Sequence, residues 1–182
     1  MHQDLERKLV SGDEIQDRVA AMGREIARDF IGKDLLLVGI LKGSTIFMAD
    51  LARQIDIPVA MDYMAVSSYG LSTTSSGVVR ILKDLEESIE GRHVLIVEDI
   101  VDTGLTLNYL LEYLRSRGPA EVKVCVLLDK YERRKVDVQV DYLGFTIPDE
   151  FAVGYGLDYR ERYRNLGDIW VLKPEVYTKQ GE

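Results

Sequence analysis

Ile15, Val19, Met22, Ile26 and Phe30 recur every three or four positions, the spacing that puts side chains on one face of a helix. Ser11 followed by Glu14 matches a capping box at its start, and Gly32 a glycine stop at its end. Residues 35–40 are continuously apolar, as in a strand covered on both faces. Residues 41–44 read as a turn, with Ser44 as N-cap of a helix to about residue 54 that buries Phe47, Leu51 and Ile55. Residues 59–66 form the next strand. Residues 67–77, rich in serine and threonine and holding Tyr69 and two glycines, read as an exposed loop. A short strand over 78–82 returns from it, and Glu90-Gly91 turns the chain into a core strand over 94–97. Leu107, Leu110, Leu111 and Leu114 give the following helix its buried face, Gly118-Pro119 stops it, and residues 122–128 make another strand.

Strands alternating with helices predict an α/β fold with a mainly parallel sheet and helices on both sides. Beyond Val136 the pattern changes. Residues 138–142, 151–155 and 169–172 are short strand candidates between Gly, Pro and Asp turns, expected to form a small appendage over the sheet within one domain spanning 1–182.

Composition narrows the function classes. The chain has 182 residues, 46% hydrophobic and 30% charged, enough for one domain with its own core. Acidic residues outnumber basic ones by 31 to 23, which disfavours non-specific nucleic-acid binding; Arg133, Arg134 and Lys135 form the densest local basic patch. The start of the chain, residues 1–9, mixes acids and bases without an apolar core, unlike a secretory signal. No aliphatic stretch approaches the roughly 20 residues of a membrane span, so the cytoplasm is the expected compartment. A lone cysteine, Cys125, excludes a disulfide within the chain. With His2 and His93 far apart, neither a structural zinc site nor a Cys–His nucleophile pair is supported. Trp170 reads as core.

Candidate chemistry concentrates where the strand 93–98 gives way to residues 99–106. An apolar strand delivers two carboxylates, Glu98 and Asp99, to its C-terminal edge, where ligands sit in open α/β sheets. Carboxylates accept hydrogen bonds only, so a sugar diol is a natural partner. Thr103-Gly104-Leu105-Thr106 then opens a helix whose free amides make an anion site, with glycine allowing close approach. A monophosphate beside a diol describes a ribose 5-phosphate. Neither GxxxxGK[ST] nor GxGxxG is present here. The bland alternative makes Glu98 and Asp99 solvated strand-end residues and Thr103 an ordinary N-cap.

This block resembles the phosphoribosyl-diphosphate signature of the type I phosphoribosyltransferases. Together with Leu41-Lys42-Gly43-Ser44, Ser68-Tyr69-Gly70, Leu128-Asp129-Lys130 and the run from Ile147-Pro148-Asp149 through Gly154-Tyr155 to Leu157-Asp158-Tyr159, it is similar to the hypoxanthine-guanine branch of that family over nearly the whole chain. The resemblance implies the type I phosphoribosyltransferase fold, with a base-binding hood formed largely by 136–182 and a lid loop at 67–77. It implies transfer of a phosphoribosyl group from a 1-diphosphate to N9 of hypoxanthine or guanine, in a homodimer or homotetramer.

Site roles follow from the same resemblance. Glu98 and Asp99 hold the ribose and, with Asp158, contact Mg²⁺. Asp102, Thr103, Gly104, Leu105 and Thr106 hold the 5-phosphoribosyl group. Leu41, Lys42, Gly43, Ser68 and Arg164 face pyrophosphate, with a cis peptide between Leu41 and Lys42. Asp102 manages the base proton near N7, and Tyr69 covers the reacting groups. Ile100, Lys130, Phe151, Ala152 and Asp158 surround the purine, Lys130 donating to O6. Simpler readings stand beside these: Asp102 as a local turn cap, Lys130 as a solvent lysine, Phe151 as core. A xanthine-preferring phosphoribosyltransferase and a phosphoribosyltransferase-like regulator binding nucleotides or RNA are the rival functions.

Overall fold

The computed structural model describes residues 2–68 and 79–178. Six strands form the main sheet: β2 (Leu35–Leu41), β3 (Val59–Ser68), β4 (Val79–Lys83), β5 (His93–Val101), β6 (Glu121–Asp129) and β7 (Tyr142–Thr146), in the order β4-β3-β2-β5-β6-β7. Every neighbouring pair is parallel except β3 with β4. Helices α1 (Gly12–Asp29), α2 (Thr45–Gln54) and α3 (Leu105–Arg115) cover the sheet. A second sheet of three antiparallel strands, order β1-β9-β8, joins β1 (Leu5–Val10) to β8 (Ala152–Val153) and β9 (Ile169–Leu172), with a short α4 (Pro174–Thr178) after it.

Strand alternation explains the layers. Successive residues of an extended chain point to opposite faces. Leu35, Leu37, Leu95 and Val97 meet Ile15, Val19, Met22 and Ile26 of α1 and Phe47 and Leu51 of α2. Leu36, Val38, Val94 and Ile96 meet Leu107, Leu110, Leu111 and Leu114 of α3. The continuous apolar runs are thus strands with both faces buried. The α1 capping box is present, with Ser11 Oγ accepting from Glu14 N at 3.3 Å and Ser11 N donating to Glu14 Oε2 at 2.9 Å.

Several expectations need correction. Ser44 is the N-cap residue of α2 as expected, but its side chain makes no capping bond: it is fully buried and its hydroxyl donates back to the Ile40 carbonyl at 2.7 Å. Residues 138–141 are not a strand. Asp141 Oδ2 accepts from Val124 N at 2.8 Å while Asp141 N donates to Val124 O, and regular pairing with β6 begins only at Tyr142. The range 136–182 is therefore divided: β7 belongs to the main sheet, and the small sheet takes its third strand from Leu5–Val10. That strand has only Leu5 and Val10 buried and an irregular register, so no alternation marks it. Serines 67 and 68 extend β3 rather than opening the loop. Tyr69 and the rest of the expected lid lie outside the described residues. Trp170 is only partly buried and carries Lys8 Nζ 5.2 Å from its ring centroid.

Candidate active site

From the centre of the main sheet the chain leaves β2 toward β3 on one side and β5 toward β6 on the other. Such a reversal opens a crevice beyond the carboxyl ends of the two strands. Here it is a cleft of about 310 Å³. The end of β2 and the turn after it contribute Leu41, Lys42 and Gly43, and the end of β5 contributes Glu98, Asp99 and Ile100. The turn into α3 adds Asp102, Thr103, Gly104 and Thr106, and the tail adds Asp158 and Arg164. Residues far apart in sequence and assigned to one ligand thus share one wall-lined space. Val66, Val101 and Leu107 also line it; nothing in their apolar type set them apart from core.

The strand β5 runs past its expected end to Val101, because Ile100 and Val101 still pair with Leu128 and Asp129. Glu98 and Asp99 therefore sit on a rigid strand. Burial, with the neighbouring Asp99 adding repulsion, pushes the Glu98 carboxyl well above its usual range. Burial likewise pushes Asp99 up to about 6; hydrogen bonding to backbone amides and the Arg164 charge pull it down, and Asp158 pushes it further up. Glu98 Oε2 is buried without a protein partner.

These features fit a hard divalent cation. Among the described residues no three His, Cys, Asp or Glu side chains close into a metal cluster; Asp158 is engaged by Arg164 at 2.9 Å and by Glu161 N at 2.8 Å. Mg²⁺ is ordinarily held by one or two carboxylates, with substrate oxygens and water supplying the remainder. Glu98 and Asp99 are the two carboxylates here that could hold it.

The anion side is built from backbone. Gly104 caps α3 with φ 81°, a left-handed conformation that suits glycine, and Thr103 is not the N-cap, though its hydroxyl accepts weakly from Leu105 N at 3.4 Å. The first-turn amides that follow have no carbonyl of their own helix to meet. Leu105 contributes only that backbone; its side chain is exposed. Across the cleft the Leu41–Lys42 peptide is cis. A Cβ on Gly43 would lie 1.7 Å from Asp99 Oδ2, so glycine is what lets this turn touch the carboxylate. Lys42 Nζ and Arg164 Nη2 both reach Glu161, at 3.0 and 3.3 Å. Arg164 also donates to Gly156 O at 2.7 Å, while its Nε is buried and unpartnered.

The groups expected around a base lie beyond this cleft, except Ile100 and Asp158. Lys130 directly follows β6, with a largely buried side chain 3.5 Å from Asp149. Phe151 stacks on Tyr177 with centroids 5.0 Å apart and meets Tyr159 edge-on at 5.5 Å. Ala152 is buried in β8 opposite Val171. Ser68 is placed only through its backbone, opposite Val79. The basic run after Lys130 is not a free patch: Arg134 donates to the buried Asp129 at 3.1 Å, and Arg133 donates to Asp102 at 2.6 Å and to Asp149 at 3.2 Å. Asp102 and Asp149 hold the Arg133 guanidinium further into its charged range.

A crevice at a switch point, with two partly buried carboxylates facing a glycine-capped helix start, defines a site for a phosphorylated sugar. The chain belongs to the phosphoribosyltransferase family: the phosphoribosyl transferase domain matches residues 10–160. Among its relatives, the hypoxanthine-guanine phosphoribosyltransferase of Bacillus subtilis is 53% identical, over 97% of this chain and 98% of that protein. The bifunctional protein TilS/HprT of Listeria innocua is 52% identical over 98% of this chain, which spans only 28% of that protein's length. The crystal structure of a hypoxanthine phosphoribosyltransferase from Staphylococcus aureus superposes with a TM-score of 0.94 at 51% identity, covering 97% of this chain and 96% of that one. Among the described residues no helix is long and apolar enough to cross a membrane.

Proposed function

We propose that the protein transfers the 5-phosphoribosyl group of 5-phospho-α-D-ribose 1-diphosphate to N9 of hypoxanthine or guanine, forming IMP or GMP and releasing pyrophosphate. The carrying observation is the convergence of Glu98 and Asp99, the Gly104 turn and the Lys42–Gly43 turn on one cleft. It supplies acceptors for a diol, amides for a terminal phosphate and cations for a diphosphate.

In this reading Glu98 and Asp99 hold the ribose hydroxyls. The amides of residues 103–106 fix the 5-phosphate, and Lys42, the Gly43 amide and Arg164 receive the diphosphate. Bound Mg²⁺ would offset the negative charge of the diphosphate and the two carboxylates. The bond from C1 to the diphosphate breaks as N9 bonds to C1, and the proton displaced from the base passes to Asp102. Lys130 donates to O6; an amino group there would not accept and would set donor against donor, so adenine is a poor substrate. Most of the rate comes from fixed geometry and charge. The three-stranded sheet acts as the hood over the base, with Phe151 against one ring face and Ile100 against the other.

The test mixes purified protein with Mg²⁺ and the diphosphate sugar and offers hypoxanthine, guanine, xanthine and adenine separately. Nucleotide from neither of the first two refutes the proposal, and a strong preference for xanthine moves it to the xanthine branch. Asp102→Asn should lower kcat by roughly a hundredfold or more while leaving the affinity for the diphosphate sugar near wild type. Unchanged turnover removes Asp102 from proton transfer.

A further inference from the structure

Arg133 closes the short turn Tyr131–Arg133 after β6. The segment around it clamps the backbone on both sides of Asp102: Lys130 N donates to Val101 O at 2.9 Å, and Lys135 N donates to Thr103 O at 2.9 Å. From the middle of that clamp, Arg133 Nε donates to Asp102 Oδ1 at 2.6 Å. The same guanidinium reaches Asp149 through Nη1, at 3.4 and 3.2 Å from its two oxygens, and Asp149 lies 3.5 Å from Lys130 Nζ. One chain of alternating charge therefore runs Lys130, Asp149, Arg133, Asp102.

We infer that Arg133 is a positioning residue for the purine: it aims the Asp102 carboxylate at N7 and ties it, through Asp149, to the lysine that reads O6. This rests on the roles given above to Asp102 and Lys130. Arg133 and Asp102 are about half exposed, at 45% and 44%, so their pair contributes little to folding. Its consequence is orientation. Asp102 lies in the turn between β5 and α3, and the only side chain bonded to it among the described residues is Arg133, at Oδ1. Oδ2 stays open to accept from the base. The planar guanidinium fixes direction as well as charge, which an ammonium does less well. When the base displaces water, the pair strengthens in the drier site.

The test uses steady-state kinetics of Arg133→Gln, Arg133→Lys and Asp149→Asn, with Asp102→Asn as reference, varying hypoxanthine and the diphosphate sugar in turn. Arg133→Gln is expected to lower kcat/KM for hypoxanthine about tenfold, with KM for the diphosphate sugar within about twofold. Arg133→Lys should recover part of that loss, and Asp149→Asn should add little in the Arg133→Gln background because both act through one chain. Wild-type kinetics in Arg133→Gln, with Asp102→Asn impaired, overturns the inference and leaves the Asp102 assignment standing. Wild-type kinetics in Asp102→Asn overturns both. An equal rise in KM for both substrates with kcat unchanged also overturns the inference, since positioning acts on the base alone.

Discussion

Asp99→Asn is expected to stabilise the ligand-free protein at neutral pH while damaging its site. The Asp99 carboxyl, ordinarily at 3.8, is pushed up to about 6. Below the lower value it is neutral in both folded and unfolded chains, and Asn replaces an equally neutral group. Between the two values the unfolded chain ionises while the folded chain keeps the proton, so wild-type stability is lost as pH rises through about 6. A gap of about 2 pH units at ~1.4 kcal/mol each amounts to ~3 kcal/mol, an upper figure because the side chain still reaches water in the cleft. The Ile100 N–H bond to Oδ1, 2.9 Å long, can be kept by the Asn carbonyl. For a chain of this size ~3 kcal/mol corresponds to a rise in Tm of roughly 6–12 °C. Urea titrations of both proteins at several pH values should show the advantage of Asn near zero at about pH 4 and on a plateau above about pH 7. Adding Mg²⁺ with the diphosphate sugar should narrow it by stabilising wild type more. A variant less stable than wild type at neutral pH, or an advantage independent of pH, refutes the burial argument.

Gly43→Ala forces a methyl into the space of Asp99 Oδ2; KM for the diphosphate sugar should rise at least about tenfold with the circular dichroism spectrum retained, as kinetics and spectroscopy will show. Cys125 is fully buried and burial pushes its thiol well up, so the native protein should resist an aromatic disulfide reagent at pH 8 and react with one equivalent in denaturant.

The layers of the fold were legible because both faces of the parallel strands are apolar, and the helices that cover them repeat at 3.6 residues. Strand ends were less legible. β5 continues through Glu98 and Asp99 because its neighbour β6 still offers partners, a fact about another segment. β1 escaped notice for the same reason: its pairing with β9 joins the two ends of the chain, and its middle residues, Glu6, Arg7 and Lys8, face solvent. Within the site, motifs supplied the residues that touch phosphate and sugar, since glycines and adjacent carboxylates are rare enough to mark a place. Arg133 and Glu161 carry no such mark. Arg133 looked like part of a basic surface, and only the folded chain brings it to Asp102 and Asp149.

The buried groups explain why the site needs its ligand. Glu98 Oε2 and Arg164 Nε are both shielded from water and both lack a protein partner, which costs roughly 1–3 kcal/mol for each such group and more when it is charged. One is an acid and the other a base, and both line the same cleft, yet neither satisfies the other. A carboxylate wants a donor or a cation, and a guanidinium wants an anion. A diphosphate sugar with Mg²⁺ supplies hydroxyl and cation to the first and phosphate oxygens to the second. Arg164 is held instead by Gly156 O, Asp158 and Glu161, so the instability is local and lies where binding can relieve it.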